Sequence, residues 1–284
     1  MGVPIGAGAS LLIVGYLGPA IGWRNCFYML GILGVLLSIG MLFVKETPRR
    51  GIVAAAPTPS LRKIFTTSWQ ALRTSPALVL TVSAGVTMHF VIGAAVFDQL
   101  WYVQERGFER AEIARLTGWI GMVGGVLGNI VGGLGGDLLL KRTGVGRPMF
   151  MFWVALLLAP FGIAYRIVDG DSIWFLVGIF FGFFQLGCFY GPTFSTVQEL
   201  VPPQIRATIV AFAILTFNLI GLGFGITLGG FVIDRLNAAG VDQPYSVTLL
   251  AFTFISLTCI PLFYLAGRRF QGDRARLHAA LAAA

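Results

Sequence analysis

The stretch that decides the fold is residues 185–234, QLGCFYGPTFSTVQELVPPQIRATIVAFAILTFNLIGLGFGITLGGFVID. It begins in an apolar run of membrane length, passes through a short polar turn and continues into a second long apolar run. The turn carries Glu199, Pro202, Pro203 and Arg206. Two successive prolines do not continue a helix, because proline lacks an N–H and restrains the residue before it. The stretch therefore predicts two membrane-spanning helices joined by a tight charged turn.

The composition is that of a membrane protein. Hydrophobic residues make up 56% of the chain and charged residues 11%, with a mean hydropathy of +0.83, whereas soluble domains average about 25% charged residues. Cys26, Cys188 and Cys259 are few and far apart, so they predict packing residues and neither a disulfide framework nor a metal site. We expect no cofactor. The motifs of metalloproteases, serine hydrolases and nucleotide-binding proteins are missing from the sequence, which disfavours an enzyme.

Eight apolar runs are each near the roughly 20 residues that cross a bilayer. They lie at about residues 2–21, 27–44, 77–103, 116–136, 148–168, 172–194, 207–233 and 246–266. Lipid offers no partner to free backbone groups, so such runs, divided by short charged loops, predict helices. The expected fold class is all-α: a polytopic membrane helical bundle with eight transmembrane helices.

Lysine and arginine are divided unevenly between the loops. If residues 45–76 lie inside, fourteen of the 20 basic residues fall on the inner side and six on the outer side. The positive-inside rule then predicts a multi-pass protein of the inner (plasma) membrane, surrounded by lipid, with both termini in the cytoplasm. The net charge of +8 then reflects topology, and we expect no nucleic-acid partner.

A short internal echo predicts the domain organisation. Residues 18–22, GPAIG, resemble residues 225–229, GITLG, and each is followed by another apolar run and a basic segment. Residues 1–45 are then the last two helices of an incomplete N-terminal bundle, and residues 77–267 form a six-helix C-terminal bundle, as in transporters built from repeats. Residues 268–284 form a basic cytoplasmic tail.

Residues 46–76 are the long polar stretch between spans and are interpreted as a cytoplasmic linker. The first part is rich in Ala, Pro and Thr, which is typical of flexible chain. After Ser60, a good N-cap, apolar residues recur on one helical face and predict an interfacial helix on the inner leaflet. These residues are Leu61, Ile64, Phe65 and Leu72. A disordered linker is the alternative.

The motifs at the span ends resemble those of the major facilitator superfamily of transporters and, within it, of a Spinster-like bacterial member. They are Gly22-Trp23-Arg24 with Phe27; Glu46-Thr47-Pro48-Arg49; Gly132-Gly133-Leu134-Gly135-Gly136-Asp137 with Lys141, Arg142 and Arg147; Gly191-Pro192-Thr193-Phe194 with Gln198; and Val201-Pro202-Pro203 with Arg206-Ala207-Thr208, followed by residues 218–223, NLIGLG. The chain is similar to the C-terminal two-thirds of such a transporter. The resemblance implies a partial major facilitator fold lacking the first four transmembrane helices.

The resemblance also implies a role for Asp137 and leaves the proton-coupling residue unassigned. An Asp in the position of Asp137 caps the start of a neighbouring helix and latches the closed state, because the positive end of the helix dipole attracts a carboxylate. Here that neighbour is the first span, which begins near Gly2; an ordinary interfacial aspartate is the alternative. The family's proton-coupling acid would lie in the absent helices, so protons are a candidate partner without an assigned residue. The sequence departs from the family pattern at Leu138, where a basic residue is favoured, and at Ile226, where Gly-Pro is frequent.

Five polar side chains inside the spans are candidates for substrate binding. Polar groups there cost free energy unless they face other helices or a wet cavity, so groups at similar depth on different helices could converge on one site. The candidates are His89, Asn129, Gln185, Tyr190 and Asn218. Helix–helix hydrogen bonding is the alternative for the three amides, and a packed histidine bonded to a backbone carbonyl is the alternative for His89. Gly85 and Gly93 share a helical face with His89 and predict room beside its imidazole.

Charged residues near the span ends are candidates for gating. At the inner side they are Asp137, Arg142, Glu199 and Arg206. Asp98, nearer the outer end of the third span, is either a gate residue or an acid close enough to water to stay ionised. The candidate partners of Asp98 are Arg106, Arg110 and Arg115 in the following loop.

Glycine recurs every fourth residue in the fourth span, at Gly124, Gly128, Gly132 and Gly136. Such a stripe lets two helices approach closely. Static packing and a moving contact are both compatible with it.

The expected function is secondary active transport of a small organic solute by alternating access. The 24 Phe and 6 Trp residues and the few charges in the pathway favour an amphipathic solute over a sugar. The alternative is a truncated, non-transporting membrane remnant or scaffold, because half of a site has no opposite wall.

Overall fold

The computed structural model describes residues 2–45 and 61–282, and regular structure in these residues is helical. The helices are α1 Gly2–Ile21, α2 Trp23–Met41, α3 Leu61–Thr74, α4 Pro76–Ala94, α5 Asp98–Gln104, α6 Arg110–Thr143, α7 Arg147–Ile167, α8 Ile173–Glu199, α9 Arg206–Thr216, α10 Phe224–Ala238, α11 Pro244–Ser256 and α12 Cys259–Ala282. Two 3₁₀ turns, Ala95–Phe97 and Pro203–Ile205, and one π-helical segment, Phe217–Gly223, connect them. The predicted all-α class is confirmed.

Eight helical stretches of the described residues are long and apolar enough to cross a membrane, which confirms the eight predicted spans. They are Pro4–Ile21, Trp23–Met41, Pro76–Gln104, Arg110–Thr143, Arg147–Ile167, Ile173–Glu199, Pro203–Ala238 and Pro244–Ala280. Several are longer than hydropathy predicts, because charged residues continue the helices beyond the apolar core. The fourth span, for example, includes Arg110 at one end and Arg142 at the other.

The helix ends follow local chemistry. The Ser75 hydroxyl accepts from the Leu78 N–H at the start of α4, with Pro76 in the first helical position, where its missing N–H costs nothing. At the other end of α6, Gly144 adopts φ 68°, a left-handed conformation that glycine accommodates without strain. The turn between α8 and α9 holds Pro202 and Pro203, as the sequence predicts.

The glycine stripe of α6 lies against α8. A Cβ on Gly128 would overlap the carbonyl of Phe184, and one on Gly132 would lie 2.6 Å from Cα of Cys188. Gly187 returns the contact from α8, since its Cβ would overlap the Gly125 carbonyl. Two backbones can approach this closely only where a glycine leaves room on at least one of them. The glycines therefore make α6 and α8 a closely packed pair.

The first two helices lie on one side of the other six. α1 packs on α6 through glycines: a Cβ on Gly8 would lie 2.8 Å from the Gly118 oxygen, and one on Gly15 would lie 3.1 Å from the Ala111 oxygen. α2 contacts α1, and Cys26 is its buried residue. Whether the pair forms an incomplete partner bundle, as the echo predicts, stays a prediction.

A helix, α3, occupies the second part of the predicted linker. Ala71 is buried in the core and Leu72 packs against it, whereas Phe65 and Trp69 are exposed on the other side. Phe65 and Leu72 therefore do not bury together, contrary to the shared face that we expected. Residues 46–60, including the flexible stretch and the cap at Ser60, lie outside the described residues, and interfacial placement of α3 stays a prediction.

The predicted boundary at residue 267 is not a break in the structure, because α12 continues to Ala282. Phe270 and Asp273 are buried on it. The Asp273 carboxylate accepts from the Ser75 hydroxyl at 3.0 Å and from the Ala77 N–H at 2.7 Å. The basic segment is thus part of a helix that caps the start of α4, at least as far as Asp273.

Candidate functional site

Four of the five predicted binding residues line one cleft with a volume of about 490 Å³. They are His89 on α4, Asn129 on α6, Tyr190 on α8 and Asn218 in the π-helical segment. The rest of the lining is Gly2, Pro4, Ile92, Phe194, Ile214, Phe217 and Leu222. Side chains that are distant in sequence thus converge on one concave surface, with α1 along its border.

The fifth candidate, Gln185, lies elsewhere. It lines a separate cavity of about 130 Å³, together with Tyr165, Arg166 and Thr253. Gln185 and Tyr190 are five residues apart on α8, which places them about 140° apart around the helix axis. The two residues were selected by their depth along the helix, but their side chains point in different directions and line different cavities.

His89 is buried and held on several sides. Its Nδ1 is 2.8 Å from the Gly85 carbonyl oxygen, its ring stacks on Phe217 with centroids 4.8 Å apart, and Phe189 meets it edge-on at 5.3 Å. The expected room beside the imidazole is absent. The Phe217 ring occupies the space over Gly85, and backbone atoms near Leu222 occupy the space over Gly93. The alternative of a packed histidine bonded to a backbone carbonyl therefore holds for Nδ1 of His89. The same ring also lines the cleft.

The two asparagines of the cleft bond within their own helices. Asn129 Nδ2 donates to the Gly125 carbonyl at 2.9 Å, and Asn218 Nδ2 donates to the Ile214 carbonyl at 2.8 Å. Asn218 stands in the π-helical segment, a kind of irregularity that is frequent at functional sites. Interhelical hydrogen bonding therefore does not explain either side chain.

Aromatic rings form the apolar part of the lining. Tyr190 stacks on Phe194 with centroids 5.9 Å apart, and Phe194 lies 6.3 Å from Phe217. Together with the polar side chains of His89, Asn129 and Asn218, these rings give the cleft flat apolar faces beside a few hydrogen-bonding groups. This combination is typical of sites for small organic ligands.

A charge cluster lies at one end of the bundle, and we call it the Arg147 cluster: Asp137, Arg147, Glu199 and Arg274. Arg147 Nε donates to Asp137 Oδ1 at 2.8 Å, and its Nη1 donates to Glu199 Oε1. Arg274 Nε lies 3.9 Å from Glu199 Oε2. One arginine at the start of α7 thus joins α6 to α8.

This cluster changes the interpretation of the predicted inner gate. Asp137 bonds Arg147, whereas we expected it at the start of the first span; in the structure, Pro4 of that span lies over Gly125, three helical turns away along α6. Arg142 and Arg206 are both exposed. Sequence reasoning did not select Arg147 or Arg274 as site residues, although Arg147 belongs to a motif that it used.

A second cluster lies at the opposite end, and we call it the Arg166 cluster: Asp98, Trp101, Arg106, Tyr165 and Arg166. Arg166 Nη1 donates to Asp98 Oδ1 at 2.6 Å, and its Nη2 donates to Oδ2 at 3.4 Å. The guanidinium also lies 4.8 Å from the Trp101 ring centroid and 4.3 Å from that of Tyr165. The partner of Asp98 is therefore Arg166, and the expectation of Arg106, Arg110 or Arg115 was wrong.

Neighbouring groups extend the Arg166 cluster toward the surface. Arg106 donates to the Arg166 carbonyl at 2.9 Å, and burial lowers the pKa of Arg106 while Glu105 and Asp169 act in the opposite direction. Glu105 accepts from the N–H groups of Tyr245 and Ser246 at 2.7 and 2.8 Å and so caps α11. This end is tied together by groups from three segments of the chain, residues 98–106, 165–169 and 245–246.

Metal-ligating residues do not cluster within residues 2–45 and 61–282: no group of three or more His, Cys, Asp or Glu is placed to hold a metal ion. His89 lines the cleft, and Cys188 is buried in the core.

The fold and the cleft correspond to a known family. The model of the Major Facilitator Superfamily matches residues 1–226, so the chain belongs to this superfamily. Membership points to a transporter class rather than an enzyme.

Three characterised relatives agree with this assignment. The chain is 26% identical to an MFS-type efflux pump of Mycolicibacterium smegmatis, with 95% of this chain and 62% of the relative covered. It is 25% identical to a hexuronate transporter of Bacillus subtilis (82% and 57% covered) and 23% identical to protein spinster homolog 1 of Xenopus laevis (90% and 51% covered). The chain thus spans between about half and two-thirds of these relatives' lengths.

Solved structures show the same fold. A bacterial homolog of the human lysosomal transporter Spinster, in an inward-facing and unoccupied conformation, superposes with a TM-score of 0.67 at 18% identity over 92% of this chain and 63% of that one. The inward-facing, occupied conformation gives 0.68 at 17% identity over 96% and 69%. The partial major facilitator fold and the resemblance to Spinster-like members are confirmed.

Proposed function

We propose that the chain forms the C-terminal six-helix bundle and two adjoining helices of a secondary transporter. In this proposal it moves a small amphipathic organic solute across the inner (plasma) membrane by alternating access. The observation that carries the proposal is the cleft, where polar side chains from α4, α6, α8 and the π-helical segment meet beside stacked aromatic rings. Its volume of about 490 Å³ lies in the range of small-molecule sites.

The lining favours an amphipathic solute. Tyr190, Phe194 and Phe217 offer aromatic faces, and none of the described lining residues is Asp, Glu, Lys or Arg. A hexuronate, as the name of the Bacillus subtilis relative implies, carries a carboxylate and many hydroxyls, and such a ligand calls for basic groups and more hydrogen-bonding partners. The name of the Mycolicibacterium smegmatis relative, an efflux pump, implies no such ligand.

The uneven division of basic residues supports an orientation with the Arg147 cluster on the cytoplasmic side, together with both termini. The Arg166 cluster then faces outward. In this orientation the Arg147 cluster is an inner gate, because separating α7 from α6 and α8 must break the bonds of Arg147 to Asp137 and Glu199.

Arg142 and Arg206 extend the proposed gate. Arg206 begins α9 directly after the stiff turn at Pro202 and Pro203, so movement of α8 is carried into α9. Asp98 belongs to the outer closure through Arg166. Protons are the candidate coupling ion.

Binding and uptake, measured side by side in proteoliposomes of the purified chain, test the proposal. The solute is a fluorescent aromatic amphiphile. Asn218→Leu should weaken both binding and uptake, while the matched control Leu219→Ala, one residue along and exposed, should change neither. Arg206→Ala should slow uptake and leave binding intact, because it lies outside the cleft.

The outcomes separate the alternatives. Binding without uptake in the unaltered chain favours a scaffold or remnant over a transporter. Loss of binding in Arg206→Ala, together with normal binding in Asn218→Leu, would show that site and gate are exchanged.

A further inference from the structure

Three of the hydrogen-bonding side chains in the cleft have a fixed orientation. The amide nitrogens of Asn129 and Asn218 lie 2.9 and 2.8 Å from the backbone carbonyls of Gly125 and Ile214. A carbonyl oxygen can only accept, so the NH₂ group of each amide must occupy that position. Each asparagine is left with its Oδ1, which is an acceptor, and with the second N–H of its NH₂ group for a ligand in the cleft.

The hydrogen bond to Gly85 likewise fixes which ring nitrogen of His89 carries the hydrogen. Its Nδ1 lies 2.8 Å from the Gly85 carbonyl, so Nδ1 carries the hydrogen. In the neutral ring, Nε2 then has a lone pair and accepts. Stacking on Phe217 and the edge contact with Phe189 hold the ring in this orientation. No residue in the described part of the chain bonds to Nε2.

Three acceptors from three segments therefore line one cleft: Oδ1 of Asn129, Oδ1 of Asn218 and Nε2 of His89. One N–H of each asparagine and Nδ1–H of His89 are used within the helices. The hydroxyl of Tyr190 is the remaining polar group among the described lining side chains, and it can both donate and accept. A ligand that offers only acceptors leaves these three acceptors unpaired, which costs affinity. A ligand that offers N–H groups satisfies them.

We infer that the cleft selects a solute with a protonated primary amine on an aromatic body. This inference rests on the proposed function and narrows it to one solute class. The N–H groups of the ammonium can donate to the acceptors that line the cleft, on Asn129, Asn218 and His89, while its charge is attracted to the aromatic faces of Tyr190, Phe194 and Phe217.

The same geometry makes a proton compete with the solute. Protonation of His89 places an N–H on Nε2 and a positive charge on the ring, so one acceptor is lost and the ammonium is repelled. The other titratable side chain in the described lining is Tyr190, from α8. α1, α6 and the π-helical segment contribute Gly2, Pro4, Asn129 and Asn218, none of which titrates. Affinity for the amine should therefore fall as the pH falls.

Four naphthalene probes test the inference, since they share one aromatic body. They are 1-naphthylmethylamine, its N,N,N-trimethylammonium analogue, 1-naphthalenemethanol and 1-naphthoate. Binding to the full chain in nanodiscs is measured by equilibrium dialysis against empty nanodiscs. We expect the primary amine to bind best, about tenfold more tightly than the trimethyl analogue, because that analogue keeps the charge and loses every N–H.

Each alternative ranking has a defined meaning. Equal binding of the amine and its trimethyl analogue would overturn the inference, because charge and aromatic faces then suffice. Strongest binding of naphthoate would also overturn it and would indicate that donors, such as the N–H groups of the first turn of α1, dominate the cleft; the proposed function would stand. If none of the four probes binds, the cleft is not the solute site and the proposed function fails as well.

A variant series isolates His89. Between pH 8 and pH 5, amine binding by the unaltered chain should weaken as the pH falls, because a growing fraction of His89 is protonated. His89→Gln keeps an acceptor and does not titrate, so it should bind the amine with little dependence on pH. Asn218→Asp, at an exposed position, should strengthen amine binding and weaken naphthoate binding. Unchanged pH dependence in His89→Gln would overturn the role of this histidine.

Discussion

Each end of the bundle is tied by an arginine that joins two helices, but the two arginines lie in different surroundings. The Arg166 side chain is 2% exposed and that of its partner Asp98 is 16% exposed. The Arg147 side chain is 14% exposed, and its partners Asp137 and Glu199 are 55% and 27% exposed. The Arg166–Asp98 and Arg147–Asp137 bonds are of similar length, at 2.6 and 2.8 Å, so the two clusters differ mainly in burial.

This difference implies different tasks. An ion pair in a medium of low dielectric constant is expensive to open, because each charge loses its partner and gains little water. An ion pair with carboxylates near solvent can exchange its partner for water at a small cost. The Arg166 cluster therefore suits a lasting tie between α5 and α7, and the Arg147 cluster suits a gate that opens repeatedly.

The largest effect is expected at the buried pair. Arg166→Met leaves the Asp98 carboxylate buried without a partner and should lower the free energy of unfolding by about 3–5 kcal/mol. Reversible denaturation in detergent micelles measures this change. The double variant Arg166→Met/Asp98→Leu removes both charges and should recover most of the loss.

Arg147→Met is the matched variant at the other end. It should cost about 1 kcal/mol or less, because Asp137 and Glu199 regain water. If both arginine variants destabilise the protein equally, burial does not distinguish the two ends and the comparison fails.

The next effect concerns the glycine contact between α6 and α8. Gly128→Ala places a methyl group against the Phe184 carbonyl of α8 and should destabilise the protein by about 1–3 kcal/mol. Gly133→Ala, where a Cβ would meet nothing within 4 Å, should change stability by no more than about 0.5 kcal/mol. The same denaturation assay measures both variants. Equal effects would mean that α6 and α8 do not hold each other at their middle.

A smaller effect is expected on local opening at the Arg147 cluster. Glu199→Gln weakens the tie between α7 and α8 and should raise alkylation of a cysteine at Val197, a buried neighbour, about fivefold. Alkylation of this cysteine is measured in a variant from which Cys26, Cys188 and Cys259 have been removed. A cysteine at Ile179, buried near the other end of α8, should be unaffected. Equal acceleration at both positions would indicate general loosening instead of a gate.

The smallest effect concerns an exposed cap beside the Arg166 cluster. Glu109 accepts from the N–H groups of Ala111 and Glu112 at 3.0 and 2.9 Å, and these bonds hold its pKa below the ordinary 4.5. The stabilisation is therefore fully present above about pH 4.5 and is lost as the pH falls through the lowered folded-state pKa. Hydrogen exchange at Ala111 and Glu112 should speed up over this acidic range, and Glu109→Gln should flatten the dependence. A profile unchanged by the substitution would exclude the cap as its cause.

The sequence predicted much of the candidate site because polarity within an apolar span is a local signal. His89, Asn129, Tyr190 and Asn218 stand out as polar groups where lipid or helix contacts are expected, and all four line the cleft. Gln185 gives the same signal but turns into another cavity. The rotation of a helix about its axis depends on its neighbours, so sequence depth could not make this distinction.

The eight spans, the superfamily and the charge asymmetry of the loops were determined by the sequence alone, because hydropathy, helix length and motif spacing are properties of consecutive residues. The tertiary structure decided which charges meet: Arg166 turns inward to Asp98, and Arg147 reaches Asp137 and Glu199. It also decided that the space beside Gly85 is filled by Phe217 and that the amides of the cleft present acceptors. The physical reason is that ion pairing and packing are set by the relative register and rotation of helices far apart in sequence, which the pattern of any one helix does not contain.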